Sequence, residues 1–205
     1  VKLTRYLLAA AVALTTAAAP AHAATSIGQA TAIKAVEGYR CTLSVVDAHT
    51  AYTAQHCGMG TWNVGDTIYT LEDRQPIGTI AALGSDLPYG QQLDAVKVDL
   101  LPGTRVVGHV GRGDSASLRN GDSVRFQAPG NDSIGFITYD APRHLAVGDD
   151  SFPSLLINAS ITTYGGNSGG PLLDGQNNVV GVLSGGSDDN DALFTPLHLI
   201  EQGLG

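Results

Sequence analysis

Cysteine, methionine and tryptophan are scarce in this chain: two, one and one respectively in 205 residues. Two cysteines without a C-x-x-C pair or a neighbouring paired histidine exclude the usual zinc and dithiol motifs, and no metal or other cofactor is expected. Basic residues are few as well, 11 Lys and Arg against 19 Asp and Glu, for a formal net charge of −8. A chain of this sign repels polyanions, which argues against nucleic acid as a partner. Long apolar runs are also missing. The N-terminal stretch Leu7 to Leu14 is the most apolar, and it falls short of the roughly 20 residues a membrane-spanning helix needs. Helical periodicity is almost absent.

Residues 1–23 read as a secretory signal peptide. Lys2 and Arg5 precede the apolar run, and Ala21-His22-Ala23 is a small-x-small cleavage site. Export without a retained membrane anchor is expected. Cleavage would remove those two cations and no acid, taking the net charge from −8 to −10. An exported chain sits where thiols oxidise, so Cys41 and Cys57 are expected to be joined, a loop closure contributing about 3 kcal/mol.

What is abundant is glycine, 26 residues, punctuating many short apolar runs in the pattern of an antiparallel all-β protein. The expected strands of the first half are Arg40 to Val46, Ala51 to Ala54, Thr67 to Leu71, Gly78 to Leu83, Ala95 to Asp99 and Val106 to Val110. Those of the second half are Ser123 to Gln127, Ile134 to Tyr139, Leu155 to Ala159, Pro171 to Leu173, Val179 to Ser184 and Leu193 to Thr195. Between the two sets of six, residues 111–119 form a polar glycine and serine stretch suited to a linker. The expected units are therefore 24–110 and 120–205. A short helix near Thr195 to Gln202 closes the chain, and no appended domain is expected.

Three short motifs carry chemistry. Gly165-Gly166-Asn167-Ser168-Gly169-Gly170-Pro171 surrounds one serine with residues that free its backbone, Thr53-Ala54-Gln55-His56-Cys57 holds a histidine, and Asp94 enters the apolar run Ala95 to Val98. A serine hydroxyl is a poor nucleophile unless a base and oxyanion donors adjoin it. Chain order limits the architectures that could combine them. The α/β-hydrolase order needs acid and histidine after the serine, and only His198 follows Ser168. The subtilisin order needs an acid well before His56, and Asp47 is too near it. The order histidine, aspartate, serine remains, with Asp94 preferred over Asp86 and Asp99 because it alone enters an apolar strand. Other features have bland readings. Arg112-Gly113-Asp114 reads as an exposed turn, Asp188-Asp189-Asn190-Asp191 as a solvated turn, and His22, His49, His109, His144 and His198 as surface or packing residues.

The His56, Asp94 and Ser168 motifs together resemble those of the chymotrypsin-like, or trypsin-like, serine proteases of the compact bacterial secreted kind, over nearly the whole mature chain. The resemblance implies two six-stranded antiparallel β-barrels with the site between them. It implies Ser168 as nucleophile, His56 as base and Asp94 as the acid orienting it, with the N–H groups of Gly166 and Ser168 as the oxyanion hole and Cys41–Cys57 as the bridge beside the histidine. It also implies peptide or protein substrates, a monomeric state, and a substrate pocket built from Thr162, Thr163, Ser184, Gly185, Gly186 and Ala192. Thr162 stands where trypsin-like members hold a carboxylate, and Leu183 stands where glutamate-selective members hold a histidine. Cleavage after uncharged, small to medium residues is expected. Asn167 replaces the aspartate of many animal members, so activation by pairing with a freed N-terminal amine is not available. An idle protease fold used as a binding module or adhesin, and a serine esterase, are the rival functions.

Overall fold

Alternation of apolar and polar side chains sets the strands. In Ser123–Ala128, Val124, Phe126 and Ala128 are buried while their neighbours are not; in Val96–Leu100 the same alternation buries Val96, Val98 and Leu100. The computed structural model describes residues 24–147, 152–187 and 190–205. The signal-peptide reading, His22, and Asp188 and Asp189 of the acidic turn lie outside them.

Among the described residues, fourteen strands and one α-helix follow in order: β1 Thr25–Ile27, β2 Ala30–Lys34, β3 Arg40–Val45, β4 Thr50–Thr53, β5 Thr67–Tyr69, β6 Pro76–Leu83, β7 Val96–Leu100 and β8 Thr104–Val106 in the first half. The second half holds β9 Ser123–Ala128, β10 Asn131–Val147, β11 Phe152–Ala159, β12 Pro171–Leu173, β13 Val179–Ser187, β14 Asp191–Pro196 and the helix α1 Leu197–Leu204. The N-terminal six form an antiparallel sheet in the order β2-β3-β4-β7-β6-β5, whose outer strands meet through an Ile33–Thr70 bridge. The C-terminal six close into an antiparallel barrel in the order β10-β11-β14-β13-β12-β9.

One expected strand is corrected. The run Val106 to Val110 does not enter the first sheet; residues Thr104–Val106 pair in parallel with Thr25–Ile27 outside it. The sixth strand is instead Ala30–Lys34, paired with β3. Its sequence, Ala-Thr-Ala-Ile-Lys, has one strongly apolar residue facing inward, too few to register as a periodic run.

Each six-stranded unit has its own core, Ile33, Leu43, Val45, Ile68, Ile77, Ile80 and Val98 in one and Val124, Phe126, Ile137, Ile157, Leu172 and Phe194 in the other. A third cluster joins them: Val46, Tyr52, Leu93 and Ala95 pack with Leu173, Val179, Val182 and the helix residues Leu197, Ile200 and Leu204. The helix buries one stripe at i, i+3 and i+7.

Strand β3 shows how the units meet. Cys41, Leu43 and Val45 belong to its own core, while Thr42 and Ser44, on the other face, are fully buried because the second barrel covers them. In an open sheet these would be solvent positions.

Candidate active site

The strand-to-loop passage before Ser168 is bonded across the seam. Thr42 N–H donates to the Ser168 carbonyl at 2.8 Å, Ser44 Oγ to the Gly169 carbonyl at 2.8 Å, and Thr42 Oγ1 to the Gly166 carbonyl at 3.1 Å. Gly166 and Gly169 have φ of 91° and 83°, in the left-handed region where L side chains are strained. A Cβ on Gly169 would also lie 2.2 Å from both the Thr42 carbonyl and Thr53 Oγ1. The glycines are therefore required by the approach of the two units as well as by the turn.

Asn167 anchors the loop from beneath. It is 1 % exposed, and its Oδ1 accepts from Asn131 Nδ2 at 2.8 Å and from the Tyr164 N–H at 3.0 Å. Asn131 Nδ2 also donates to the Thr162 carbonyl at 3.0 Å. A neutral amide pair thus stands where the related motif would place an aspartate. Among the described residues, the N–H groups of Gly166 and Ser168 have no protein acceptor.

His56 sits on a 3₁₀ turn, Gln55–Gly58, tethered on each side. Cys57 forms a disulfide with Cys41 of β3. Gln55 exchanges two bonds with Ser85, Nε2 to Oγ at 2.6 Å and the Ser85 N–H to Oε1 at 2.8 Å. The imidazole Nδ1 lies 2.7 Å from Asp94 Oδ2, and the His56 N–H donates to Asp94 Oδ1 at 2.8 Å. Asp94 is fully buried, whereas the His56 side chain retains 20 % exposure. A buried carboxylate bonded by Nδ1–H holds the ring in the tautomer whose Nε2 is free to accept a proton.

Asp86 and Asp99, the other acids near in sequence, are both exposed and form no ion pair with His56. Among the described residues, Asp94 is the acid paired with His56. His56 and Ser168 line a common cavity of about 270 Å³ with Thr163, Ser184, Gly185 and Gly186. Ala192 lies fully buried behind it, paired with Gly186, and the Thr162 hydroxyl is directed to Asn190. Apart from His56, no acidic or basic side chain is among the described residues lining the cavity. On the other side of His56 lies a larger cleft, about 870 Å³, walled by Met59, Trp62, Leu93 and Phe152. The Phe152 ring meets the imidazole edge-on, 6.2 Å between centroids.

Two structural residues were not singled out from sequence. Gly84 packs against the segment carrying the acid: its N–H donates to the Ala95 carbonyl and its carbonyl accepts from Leu93. Ser154 accepts the Asp94 N–H at 2.9 Å. Its signal was a lone hydroxyl within the apolar run of β11. Arg112 of the Arg-Gly-Asp tripeptide is held between Asp47, at 2.5 Å, and Glu201, at 2.6 Å.

Residues 15–200 match the family model described as Trypsin. Among solved structures, the chain is similar to the Nocardiopsis protease NAPase at 19 % identity and TM-score 0.65, with 87 % of this chain and 97 % of that one covered. Protease A of Thermobifida fusca is similar at 22 % identity and TM-score 0.64, with 87 % and 96 % covered. A chymotrypsin of Cellulomonas bogoriensis is similar at 21 % identity and TM-score 0.63, with 86 % and 94 % covered. No functionally curated protein sequence matches the chain. These structural likenesses concern the fold, while the family match spans nearly the whole sequence. The chain belongs to the trypsin family and is a serine endopeptidase.

Proposed function

We propose that the chain is an exported endopeptidase that cleaves through an acyl-enzyme formed on Ser168, after uncharged residues of small to medium size. The observation that carries this reading is the pair of bonds that buried Asp94 accepts from His56, at the rim of the cavity that His56 shares with Ser168.

In this mechanism Ser168 Oγ attacks the scissile carbonyl carbon while its proton passes to His56 Nε2. Asp94 stabilises the imidazolium that forms. The carbonyl oxygen, now negative, accepts from the N–H groups of Gly166 and Ser168; losing one such donor costs about 3 kcal/mol of transition-state stabilisation. His56 then returns the proton to the leaving nitrogen, the C–N bond breaks, and water repeats the sequence on the acyl-serine. Among the described residues the Ser168 hydroxyl has no hydrogen-bond partner, and it faces the cavity that His56 also lines. Apart from His56, the described lining residues carry no ionisable carboxylate, lysine or arginine, which supports the uncharged preference.

A fluorophosphonate probe tests the assignment: labelling of Ser168 in the folded protein, absent in Ser168→Ala, together with peptide hydrolysis, is the expected result. Folded protein that resists the probe would leave the protease fold as a binding module, and labelling with ester but no peptide hydrolysis would make it an esterase. Cleavage of a random peptide library reads the preference, and enrichment of lysine, arginine or glutamate before the cut would refute it.

A further inference from the structure

Three hydroxyls lie in a row at the seam between the two units. Ser154, Thr195 and Ser184 come from β11, β14 and β13, which are neighbours in the C-terminal barrel, and their exposures are 0 %, 0 % and 2 %. Ser154 Oγ is 3.1 Å from Thr195 Oγ1, which is 2.8 Å from Ser184 Oγ. The row ends on the other unit, where the Asp94 N–H donates to Ser154 Oγ. Ser184 turns inward because the β13–β14 register shifts between Leu183 and Gly185, leaving it as the extra residue of a bulge.

Buried hydroxyls are unfavourable unless paired, and apolar residues of similar size would fill the same space. Ser154 Oγ accepts from the Asp94 N–H, and within each hydroxyl pair either oxygen can be the donor. The contact with Thr195 holds the Ser154 hydroxyl against the Asp94 amide. It also connects the backbone of the acid, which belongs to the N-terminal unit, to the barrel that carries Ser168.

We propose that Ser154, oriented by Thr195, is a positioning residue for the reaction: it fixes the Asp94 main chain and thereby aims the carboxylate at His56. The inference rests on the role proposed for Asp94. Both carboxylate oxygens are engaged by His56, one by its main-chain N–H and one by the imidazole, so rotation of the Asp94 peptide would disturb both bonds together. Small displacements of this kind are felt mainly in the chemical step.

The test uses the full chain and a fluorophosphonate, separating its maximal inactivation rate from its apparent affinity in Ser154→Ala, Thr195→Val, Asp94→Asn and the Ser154→Ala/Asp94→Asn double variant. In Ser154→Ala the maximal rate should fall about tenfold, the factor corresponding to one buried hydrogen bond, with affinity unchanged. Thr195→Val should fall in the same direction by less. The double variant should be no slower than Asp94→Asn, because a residue acting only through the carboxylate has nothing further to lose. A parental rate in folded Ser154→Ala, or additive losses in the double variant, overturns the proposal. Should Ser154→Ala fail to fold, Thr195→Val decides: a lowered rate at parental affinity supports the proposal, and a parental rate overturns it. A parental rate in Asp94→Asn removes the proposed role of the acid and this inference with it, whereas a slow Asp94→Asn beside a parental Ser154→Ala removes the inference alone.

Discussion

Single atoms decide the geometry around Asp94. A Cβ on Gly84 would lie 2.0 Å from the Leu93 carbonyl oxygen and 2.9 Å from that of Ala95, the two residues flanking the acid. Both obstacles are backbone, so relief requires moving the Asp94 segment itself. Gly84→Ala is expected to lower stability by about 2 kcal/mol or more in urea unfolding, with a larger proportional loss of peptide hydrolysis. Asn167 supplies a second case. Its Oδ1 acts only as an acceptor toward Asn131 and Tyr164, so an aspartate could keep those bonds, but it would bury a charge where the described partners are neutral amide groups. Burial raises the carboxyl's folded pKa above its unfolded one, so Asn167→Asp should lose stability as pH rises through the ordinary carboxylate range. Thermal unfolding at pH 4 and pH 7 reads the effect, and equal losses at both would count against it.

Elements fail differently, because each is held at few points. The 3₁₀ turn carrying His56 is too short to hold its own shape and depends on the disulfide, the Gln55–Ser85 exchange and Asp94. Replacing both Cys41 and Cys57 by alanine should lower the unfolding free energy by about 3 kcal/mol, the loop-closure value for a separation of this size, and slow hydrolysis as His56 loses a tether. The start of α1 is expected to respond to pH. Burial pushes the His198 imidazole below its ordinary pKa, partly opposed by Asp114, and its Nδ1 lies 2.9 Å from Ser115 Oγ. The folded state therefore favours neutral His198. Its contribution is complete above the unfolded value of about 6.5 and is lost as pH falls through that value toward the depressed one. The unfolding temperature should drop between pH 7.5 and 5.5, and His198→Gln should flatten that drop.

The third core cluster is expected to make the two six-stranded units one cooperative body, since Tyr52 and Leu93 pack in it with residues of the barrel and helix opposite. Trp62, the single tryptophan, packs on the N-terminal core, whereas Leu197 belongs to the helix after the C-terminal barrel. Leu197→Ala should remove about 3 kcal/mol. Its effect should appear equally in Trp62 fluorescence and in far-ultraviolet circular dichroism, with coincident transitions. A tryptophan signal that ignores the substitution would mean that the units unfold separately.

The motifs around His56 and Ser168 were legible because their chemistry is written in contiguous residues, and the acid stood out because Asp94 opens an apolar strand. Eleven of the strands announced themselves through alternation and glycine punctuation, for the same local reason. Strand Ala30–Lys34 did not, since one inward isoleucine makes no period, and its place in the sheet comes from pairing with β3. Nor did the burial of Thr42 and Ser44, which depends on a second barrel lying against the first. Periodicity reports which side of a strand is apolar; it carries no information about what approaches the other side. Composition and local motif therefore determined the family and the strand-rich architecture. The distances that join Asp94 to His56, and Ser154 to Asp94, were decided only where chain segments remote in sequence pack against one another.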